Sequence, residues 1–183
     1  MSAIFPIKLK TIALVGMMGV GKSSVGRRLA AALHLPFRDA DTEVEIAAGR
    51  TIAEIFDELG ESAFREGERR VITRLLDDPP HVLATGGGAY MHPVTRALIR
   101  EKAISVWLKT DLEVLARRVG RRPTRPLLQG KDSLSVLSAL AAERYGTYSE
   151  ADICIDTADG PHSVAVDHII QAVKAHVSTA VLL

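Results

Sequence analysis

The chain has 183 residues, of which 47% are hydrophobic and 25% are charged, and its net charge is +1. This length is sufficient for one domain with a good core and too short for two comfortable domains. The small net charge creates no overall field that would recruit nucleic acid or an anionic membrane, and no apolar run reaches the length that spans a bilayer. We therefore expect one domain over residues 1–183, a cytoplasmic monomer that binds neither nucleic acid nor membranes.

Short apolar runs alternate with helical patterns along the chain. Five runs have the length of buried strands: Thr11–Val15, Pro36–Asp39, His81–Thr85, Ala103–Lys109 and Asp152–Asp156. Other segments carry apolar residues at three- and four-residue spacing: Val25–Leu33, Ile52–Leu59, Ala63–Leu76, Pro93–Arg100, Leu112–Val119, Leu134–Tyr148 and Ser163–Val177. This alternation predicts an α/β fold, with parallel strands joined by right-handed crossovers and helices on both faces of the sheet.

The phosphate loop is the clearest motif in the chain. Residues Gly16–Ser24 read GMMGVGKSS and lie between the first predicted strand and the first predicted helix, the setting that the G-x-x-x-x-G-K-[ST] pattern requires. The glycines let the backbone wrap around a phosphate chain, and the loop N–H groups and the positive end of the helix face the anion. Lys22 can reach the β- and γ-phosphates, and Ser23 can ligate Mg²⁺. The sequence therefore predicts a nucleoside triphosphate site.

Two carboxylates, Asp39 and Asp41, follow the second predicted strand. Positions i and i+2 of an extended segment point the same way, so we expect both side chains to face the ligand crevice at the end of the sheet. One carboxylate can hold Mg²⁺, directly or through water, and the other can accept the proton of an attacking hydroxyl. The alternative is that one or both cap the next helix.

Three glycines, Gly86 to Gly88, follow Thr85 at the end of the third predicted strand. Many P-loop proteins have a Mg²⁺-binding aspartate at the end of a neighbouring strand, and this position has none. The glycines would instead let a ligand contact the backbone closely, and a flexible turn is the alternative. Ser23 and Asp39 would then carry more of the metal binding.

Several arginines outside the phosphate loop lie where a kinase cleft needs positive charge: Arg65, Arg118, Arg125 and Arg144. The planar guanidinium can bind a carboxylate or a phosphate through two hydrogen bonds. The alternative for each arginine is a solvated position on the surface. Arg125 lies in a loop from Gly120 to Gly130 that is rich in Arg, Pro and Gly. Such a loop suits a mobile lid, which a phosphoryl-transfer enzyme needs to exclude water.

The only cysteine, Cys154, cannot form a disulfide within the chain. Its apolar neighbours Ile153 and Ile155 predict that it is a buried strand residue. The six histidines are scattered without metal-ligand spacing, so the sequence indicates no histidine or cysteine metal centre.

Over nearly its whole length the chain resembles the shikimate kinase family, which are small P-loop kinases of the nucleoside-monophosphate-kinase type. The resemblance rests on five features in order: GMMGVGKSS, FRDADTEVE, IAEIFDELGESAFREGE, GGGA after the third strand, and RPLL. It implies a P-loop three-layer sandwich with a five-stranded parallel sheet, substrate-binding helices inserted at about 41–76 and an Arg-rich lid at about 118–131. It also implies Mg²⁺- and ATP-dependent phosphorylation of a shikimate hydroxyl, giving shikimate 3-phosphate and ADP.

The resemblance also implies roles for individual residues. The ATP phosphates would be bound by the loop and two arginines: Gly19, Val20, Gly21, Lys22, Ser23, Ser24, Arg118 and Arg125. Shikimate would be bound by Asp41, Arg65, Gly87 and Arg144, with the two arginines on its carboxylate. Ser23 and Asp39 would hold Mg²⁺, and the catalytic residues would be Asp41, as the proton acceptor, with Lys22 and Arg125. In-line transfer needs mainly such positioning and charge neutralisation.

One departure from the family concerns adenine. Relatives often carry an arginine in the loop after the last strand, whereas here the segment from Thr157 to Pro161 reads TADGP and has no basic residue. The sequence therefore assigns no residue to adenine.

Three alternatives remain open from the residues. Another small-molecule kinase on the same scaffold, such as a gluconate kinase, would share the phosphate loop, although paired arginines favour an anionic acceptor and the glycines favour shikimate. A GTPase switch normally needs an N-K-x-D stretch, and this chain has no asparagine. A non-catalytic nucleotide-binding module has no use for a proton acceptor such as Asp41.

Overall fold

One parallel sheet organises the molecule. The computed structural model describes residues 10–120, 132–157 and 160–180. Strands in these residues are β1 (Thr11–Val15), β2 (Phe37–Asp39), β3 (Val82–Ala84), β4 (Ala103–Lys109) and β5 (Ile153–Asp156). The five strands that the described residues form are ordered β2-β3-β1-β4-β5, and every neighbouring pair is parallel. All the predicted strands are confirmed, with ends that differ by at most one residue.

Helices connect the strands. They are α1 (Lys22–Leu33), α2 (Ala40–Ala48), α3 (Ile52–Leu75), α4 (Pro93–Lys102), α5 (Leu112–Gly120), α6 (Ser133–Tyr148) and α7 (His162–Ala180), with a 3₁₀ turn at Ala89–Met91. Every side chain of the central strand β1 is buried, although successive side chains point to opposite faces. Both faces of the sheet are therefore covered, which confirms the predicted three-layer α/β sandwich. Among the described helices, none combines the length and the apolar character needed to cross a membrane.

The insertion between β2 and β3 consists of α2 and α3. The sequence predicts two helices, Ile52–Leu59 and Ala63–Leu76, and α3 is indeed interrupted at Gly60, whose φ of 81° and ψ of 170° are not helical. Helix α2 is not among the predicted helices, the first of which in this insertion begins at Ile52. It begins directly after β2, and this changes the geometry of the two aspartates.

Cys154 corrects one expectation. It lies on β5 at the edge of the sheet, where Ile153 and Ile155 are buried but Cys154 is exposed. The apolar neighbours were misleading because only one face of this edge strand is covered, so burial alternates along it.

Candidate active site

A cleft of about 440 Å³ opens beyond the carboxyl ends of β1, β2 and β3. This is the place where open α/β sheets bind ligands, because loops of successive crossovers diverge there. The cleft brings together most of the residues predicted to bind nucleotide and metal: Gly19, Gly21, Lys22, Ser23, Ser24, Asp39 and Arg118. Asp41 and Gly87, which the resemblance assigns to the acceptor, also line it. Val20 does not line the cleft, because the residue is 1% exposed and belongs to the core.

The phosphate loop has the conformation that its glycines permit. Gly21 has a φ of 101°, in the left-handed region, and is the N-cap residue of α1. Lys22 and Ser23 therefore belong to the first helical turn, whose N–H groups have no partner within the helix. The Lys22 ammonium donates to the carbonyls of Gly16 at 2.7 Å and Met17 at 2.9 Å. This places a positive charge and a helix N-terminus at the same wall of the cleft.

Asp39 both caps α2 and contacts the phosphate loop. Its Oδ1 accepts hydrogen bonds from the backbone N–H groups of Asp41 at 3.1 Å and Thr42 at 3.5 Å, so it caps α2. Its Oδ2 accepts a hydrogen bond of 2.5 Å from the Ser23 hydroxyl. Hydroxyl and carboxylate oxygens are hard donors of the kind Mg²⁺ prefers, so this pair fits the predicted metal. Both oxygens of Asp39 already accept hydrogen bonds. The carboxylate is therefore better placed to orient the Ser23 hydroxyl toward a metal ion than to ligate the ion in its place.

The position of Asp41 is as predicted, but the reason given by the sequence is wrong. Asp39 is extended, with φ −115° and ψ 117°, whereas α2 begins at Ala40, so Asp41 lies in a helical turn rather than two positions along a strand. Both carboxylates still line the cleft, because the first turn of α2 starts at the end of β2. Asp41 also lies against the glycine segment, since a Cβ added to Gly86 would be 2.9 Å from its Oδ1.

A second cavity of about 130 Å³ adjoins the cleft. Its charged lining residues are Asp41, Arg65, Glu68 and Arg144, and its apolar ones include Ile52, Phe56 and Phe64 of α3. Met18, Asp41 and Gly87 line both spaces. The small cavity is thus lined by all four residues predicted to bind the acceptor: Asp41, Arg65, Gly87 and Arg144. Asp41 lies where this cavity meets the phosphate-loop cleft.

Arg65 is held by carboxylates of its own helix. It donates to Glu68 Oε2 at 2.8 Å and to Glu61 Oε1 at 3.2 Å, and its guanidinium lies 5.0 Å from the centroid of the Phe64 ring. Burial lowers the pKa of Arg65, but the two glutamates outweigh this effect and the net shift is upward. The guanidinium is therefore a fixed cation in the lining of the small cavity.

Sequence reasoning missed Glu68, which is 2% exposed. Burial raises the pKa of its carboxyl group, while the charges of Arg65 and Lys22 partly oppose the shift and that of Asp41 adds to it. Its Oε1 is buried and has no hydrogen-bond partner among the described residues. The spacing of Arg65 and Glu68, three residues apart on a predicted helix, is the signal that could have identified the pair.

The glycine segment lies against the side chains of Arg65 and Glu68. A Cβ on Gly88 would lie 2.8 Å from the Arg65 guanidinium, and one on Gly86 would overlap Glu68 Oε1. The sequence attributes the three glycines to close contact with a ligand. In the structure, the Arg65 guanidinium and the Glu68 carboxylate occupy the space that a Cβ would need at two of the three positions.

Arg144 reaches the same segment from α6. It is 8% exposed and its Nη1 donates to the Gly87 carbonyl at 3.3 Å. Its buried Nε has no hydrogen-bond partner in the part of the chain that the structure describes. Arg65 and Arg144 therefore approach the small cavity from two different helices.

The nucleotide end of the cleft contains a residue that the sequence did not assign. His162 begins α7, after the segment in which relatives often carry an arginine, and lines the cleft together with Arg118. Its ring packs on the phosphate loop, because a Cβ on Gly21 would lie 3.4 Å from its Cε1. Burial lowers the pKa of His162, and the charges of Arg28 and Arg118 lower it further. Arg125 and the rest of the predicted lid at 121–131 lie outside the described residues.

Comparisons with known proteins bear on the family to which this chain is similar. A sequence model of the shikimate kinase family matches residues 18–174. The shikimate kinase of Caulobacter vibrioides is 66% identical over 169 residues, which cover 92% of this chain and 84% of that protein. A solved structure of shikimate kinase from Acinetobacter baumannii in complex with shikimate has a TM-score of 0.88 and 38% identity, over 91% of this chain and 94% of that one. A gluconokinase from Sinorhizobium meliloti covers 96% of this chain and 97% of its own with a TM-score of 0.56, but its 18% identity shows a shared fold alone.

Proposed function

Because this chain belongs to the shikimate kinase family, we infer that it transfers the γ-phosphoryl group of ATP to a hydroxyl of shikimate, giving shikimate 3-phosphate and ADP. One observation carries the assignment of roles below: Asp41 and Gly87 line both the phosphate-loop cleft and the small cavity. A donor in the cleft and an acceptor in the cavity would meet at Asp41. Such positioning is the main requirement of phosphoryl transfer.

The acceptor is proposed to occupy the small cavity. Shikimate has a carboxylate at one end of its ring and hydroxyls at the other, and Arg65 and Arg144 supply guanidinium groups for the carboxylate. Phe56 and Phe64, whose ring centroids are 4.9 Å apart, offer an apolar wall to the ring. The arrangement directs the hydroxyl end toward Asp41.

The donor is proposed to occupy the cleft. The backbone from Gly19 to Ser24 and the ammonium of Lys22 bind the phosphates, and Arg118 with Arg125 adds positive charge. Ser23, oriented by Asp39, would hold Mg²⁺, which when bound neutralises phosphate charge. In the transfer itself, the hydroxyl oxygen forms a bond to the γ-phosphorus as the bond to the bridging β–γ oxygen breaks. Asp41 accepts the hydroxyl proton.

The acceptor is tested by measuring ADP release in a coupled assay with shikimate, gluconate or quinate as the second substrate. We expect shikimate to stimulate turnover and the other two to give little or none. Turnover stimulated by gluconate in preference to shikimate would favour the alternative kinase. ADP release that no acceptor stimulates would contradict the proposed transfer altogether.

A further inference from the structure

The carbonyl of Gly87 accepts hydrogen bonds from two side chains of α6. One donor is Nη1 of Arg144, at 3.3 Å, and the other is the hydroxyl of Tyr148, the last residue of the helix. The neighbouring carbonyls are bound differently, because Gly86 accepts from the backbone of Ala89 and Gly88 from that of Met91. Gly87 is therefore the point at which α6, rather than local turn structure, holds the glycine segment.

The Tyr148 hydroxyl is rigidly placed. The side chain is 0% exposed, and its ring stacks on those of Tyr90 and Trp107, with centroid distances of 6.4 Å and 5.8 Å. Burial raises the pKa of Tyr148 to about 12, against the opposing charge of Arg144. The hydroxyl therefore keeps its proton, and remains a donor, at any pH near neutrality.

Holding this carbonyl also orients the next N–H group. Gly87 and Gly88 share a peptide that is planar and trans, so its C=O and N–H point in opposite directions. Both residues line the acceptor cavity, and neither of their N–H groups is hydrogen-bonded among the described residues. Three consecutive glycines would otherwise allow this peptide to rotate, because glycine restricts φ and ψ least.

We propose that Tyr148 is a positioning residue for the acceptor: its hydroxyl fixes the Gly87–Gly88 peptide so that the backbone presents one orientation to shikimate. This inference rests on the proposed placement of shikimate in the small cavity. It assigns no contact between Tyr148 and the substrate. Since the phosphate-loop cleft is lined by Gly87 but not by Gly88, the effect falls on the acceptor more than on ATP.

The first test is Tyr148→Phe, which removes only the hydroxyl. We expect the KM for shikimate to rise about three- to tenfold, the effect of one lost hydrogen bond, while the KM for ATP changes less than twofold. The matched control is Tyr90→Phe. Tyr90 is equally buried in the same stack, and its hydroxyl makes no hydrogen bond to the glycine segment within the described residues, so we expect neither KM to change by more than twofold.

A second variant tests the hydroxyl proton of Tyr148 separately from the packing of its ring. A polyfluorinated tyrosine at position 148 preserves the ring but lowers the pKa of the hydroxyl, so it loses its donor proton as the pH rises. We expect its KM for shikimate to increase with pH relative to wild type, whose Tyr148 pKa of about 12 keeps the donor intact.

Several results would overturn the inference. A Tyr148→Phe enzyme with an unchanged shikimate KM would do so, as would equal rises in both KM values or a fluorinated enzyme with the pH profile of wild type. Such results would leave Tyr148 as a packing residue only. Failure of the proposed function is separately visible, because wild-type enzyme would then show no shikimate-stimulated ADP release.

Discussion

Glu68 Oε2 accepts a hydrogen bond of 2.8 Å from Nη1 of Arg65, yet Glu68 is 2% exposed and its Oε1 has no hydrogen-bond partner among the described residues. A buried carboxylate costs free energy unless it is paired, and this pair is satisfied on one side only. The arrangement orients the Arg65 guanidinium, which we propose binds the substrate carboxylate, and keeps a titratable group beside Asp41. Its cost to folding should depend on pH.

We predict that Glu68→Gln becomes more stable relative to wild type as the pH rises. Burial raises the pKa of Glu68 above its ordinary value of 4.5, so the folded state binds the proton more tightly than the unfolded state. The stability that wild type gains from this tighter proton binding is therefore fully present below pH 4.5. It is lost as the pH rises through the pKa of Glu68 in the folded state. Urea unfolding of both proteins in a series of buffers from about pH 4 upward, starting near the ordinary carboxyl pKa, measures the difference.

Glu61→Gln is the control for this experiment, because Glu61 is the exposed partner of the same arginine, with 55% of its side chain accessible. It reports the loss of an ion pair to Arg65 without the loss of a buried carboxylate. A difference between Glu68→Gln and wild type that stays constant or declines with increasing pH would contradict the linkage.

We predict that Asp41→Asn lowers kcat by about 10²–10⁴-fold, the usual contribution of a general base. The amide keeps the shape of the side chain but cannot accept the hydroxyl proton, so binding of ATP should be nearly unchanged. Steady-state kinetics give kcat, and titration with a fluorescent ATP analogue gives the affinity. An equal loss of nucleotide affinity would show that Asp41 belongs to the donor site instead.

We predict that Gly88→Ala raises the KM for shikimate roughly tenfold or more, on the scale of about 1–3 kcal/mol for forced repacking. The new Cβ would lie 2.8 Å from the Arg65 guanidinium, which must then move from its position between Glu68 and the cavity. The KM for ATP serves as the internal reference. If shikimate kinetics remained normal, Arg65 could not have the fixed position that the proposal requires.

Gly67→Ala is the matched control, because Gly67 lies within α3 and has no atom within 4 Å of an added Cβ. Alanine in a helix interior is favoured over glycine by about 0.5–1 kcal/mol, so this variant should be more stable than wild type with unchanged kinetics.

We predict that Ser23→Ala increases the Mg²⁺ concentration needed for half-maximal activity, since the hydroxyl that Asp39 orients would be missing. The rate is measured against Mg²⁺ at saturating ATP and shikimate, and chelation with EDTA should abolish turnover reversibly. Ser24→Ala is the comparison, because Ser24 lines the same cleft but is not the partner of Asp39. An identical Mg²⁺ dependence in the two variants would exclude a specific role for Ser23.

The phosphate-loop side of the cleft could be predicted from sequence because it is local. The same holds for the succession of strands and helices along the chain. The phosphate loop, its strand and its helix occupy consecutive residues, so Gly21, Lys22 and Ser23 were identified by spacing alone. The position of Asp41 was predicted for the wrong reason, since no sequence pattern indicated that α2 starts one residue after β2 ends at Asp39.

Residues that act across the fold could not be paired in advance. Arg144 and Gly87 are 57 positions apart, and Tyr148 reaches the same carbonyl from 61 positions away, so only the packing of α6 beside β4 and the 3₁₀ turn joins them. His162 approaches Gly21 because α7 begins beside α1, a proximity that spacing cannot reveal.

By itself the sequence determined the phosphate loop, the α/β alternation and the residue types that a kinase cleft needs, because short-range periodicity and backbone requirements are written in neighbouring residues. Only the tertiary structure decided which side chains share a chamber and which charges are buried. Glu68 illustrates the difference. Glutamate is usually a surface residue, whereas burial beneath the glycine segment raises the pKa of this one. Burial and charge coupling depend on every element packed around a group, so they exist only once the chain has folded.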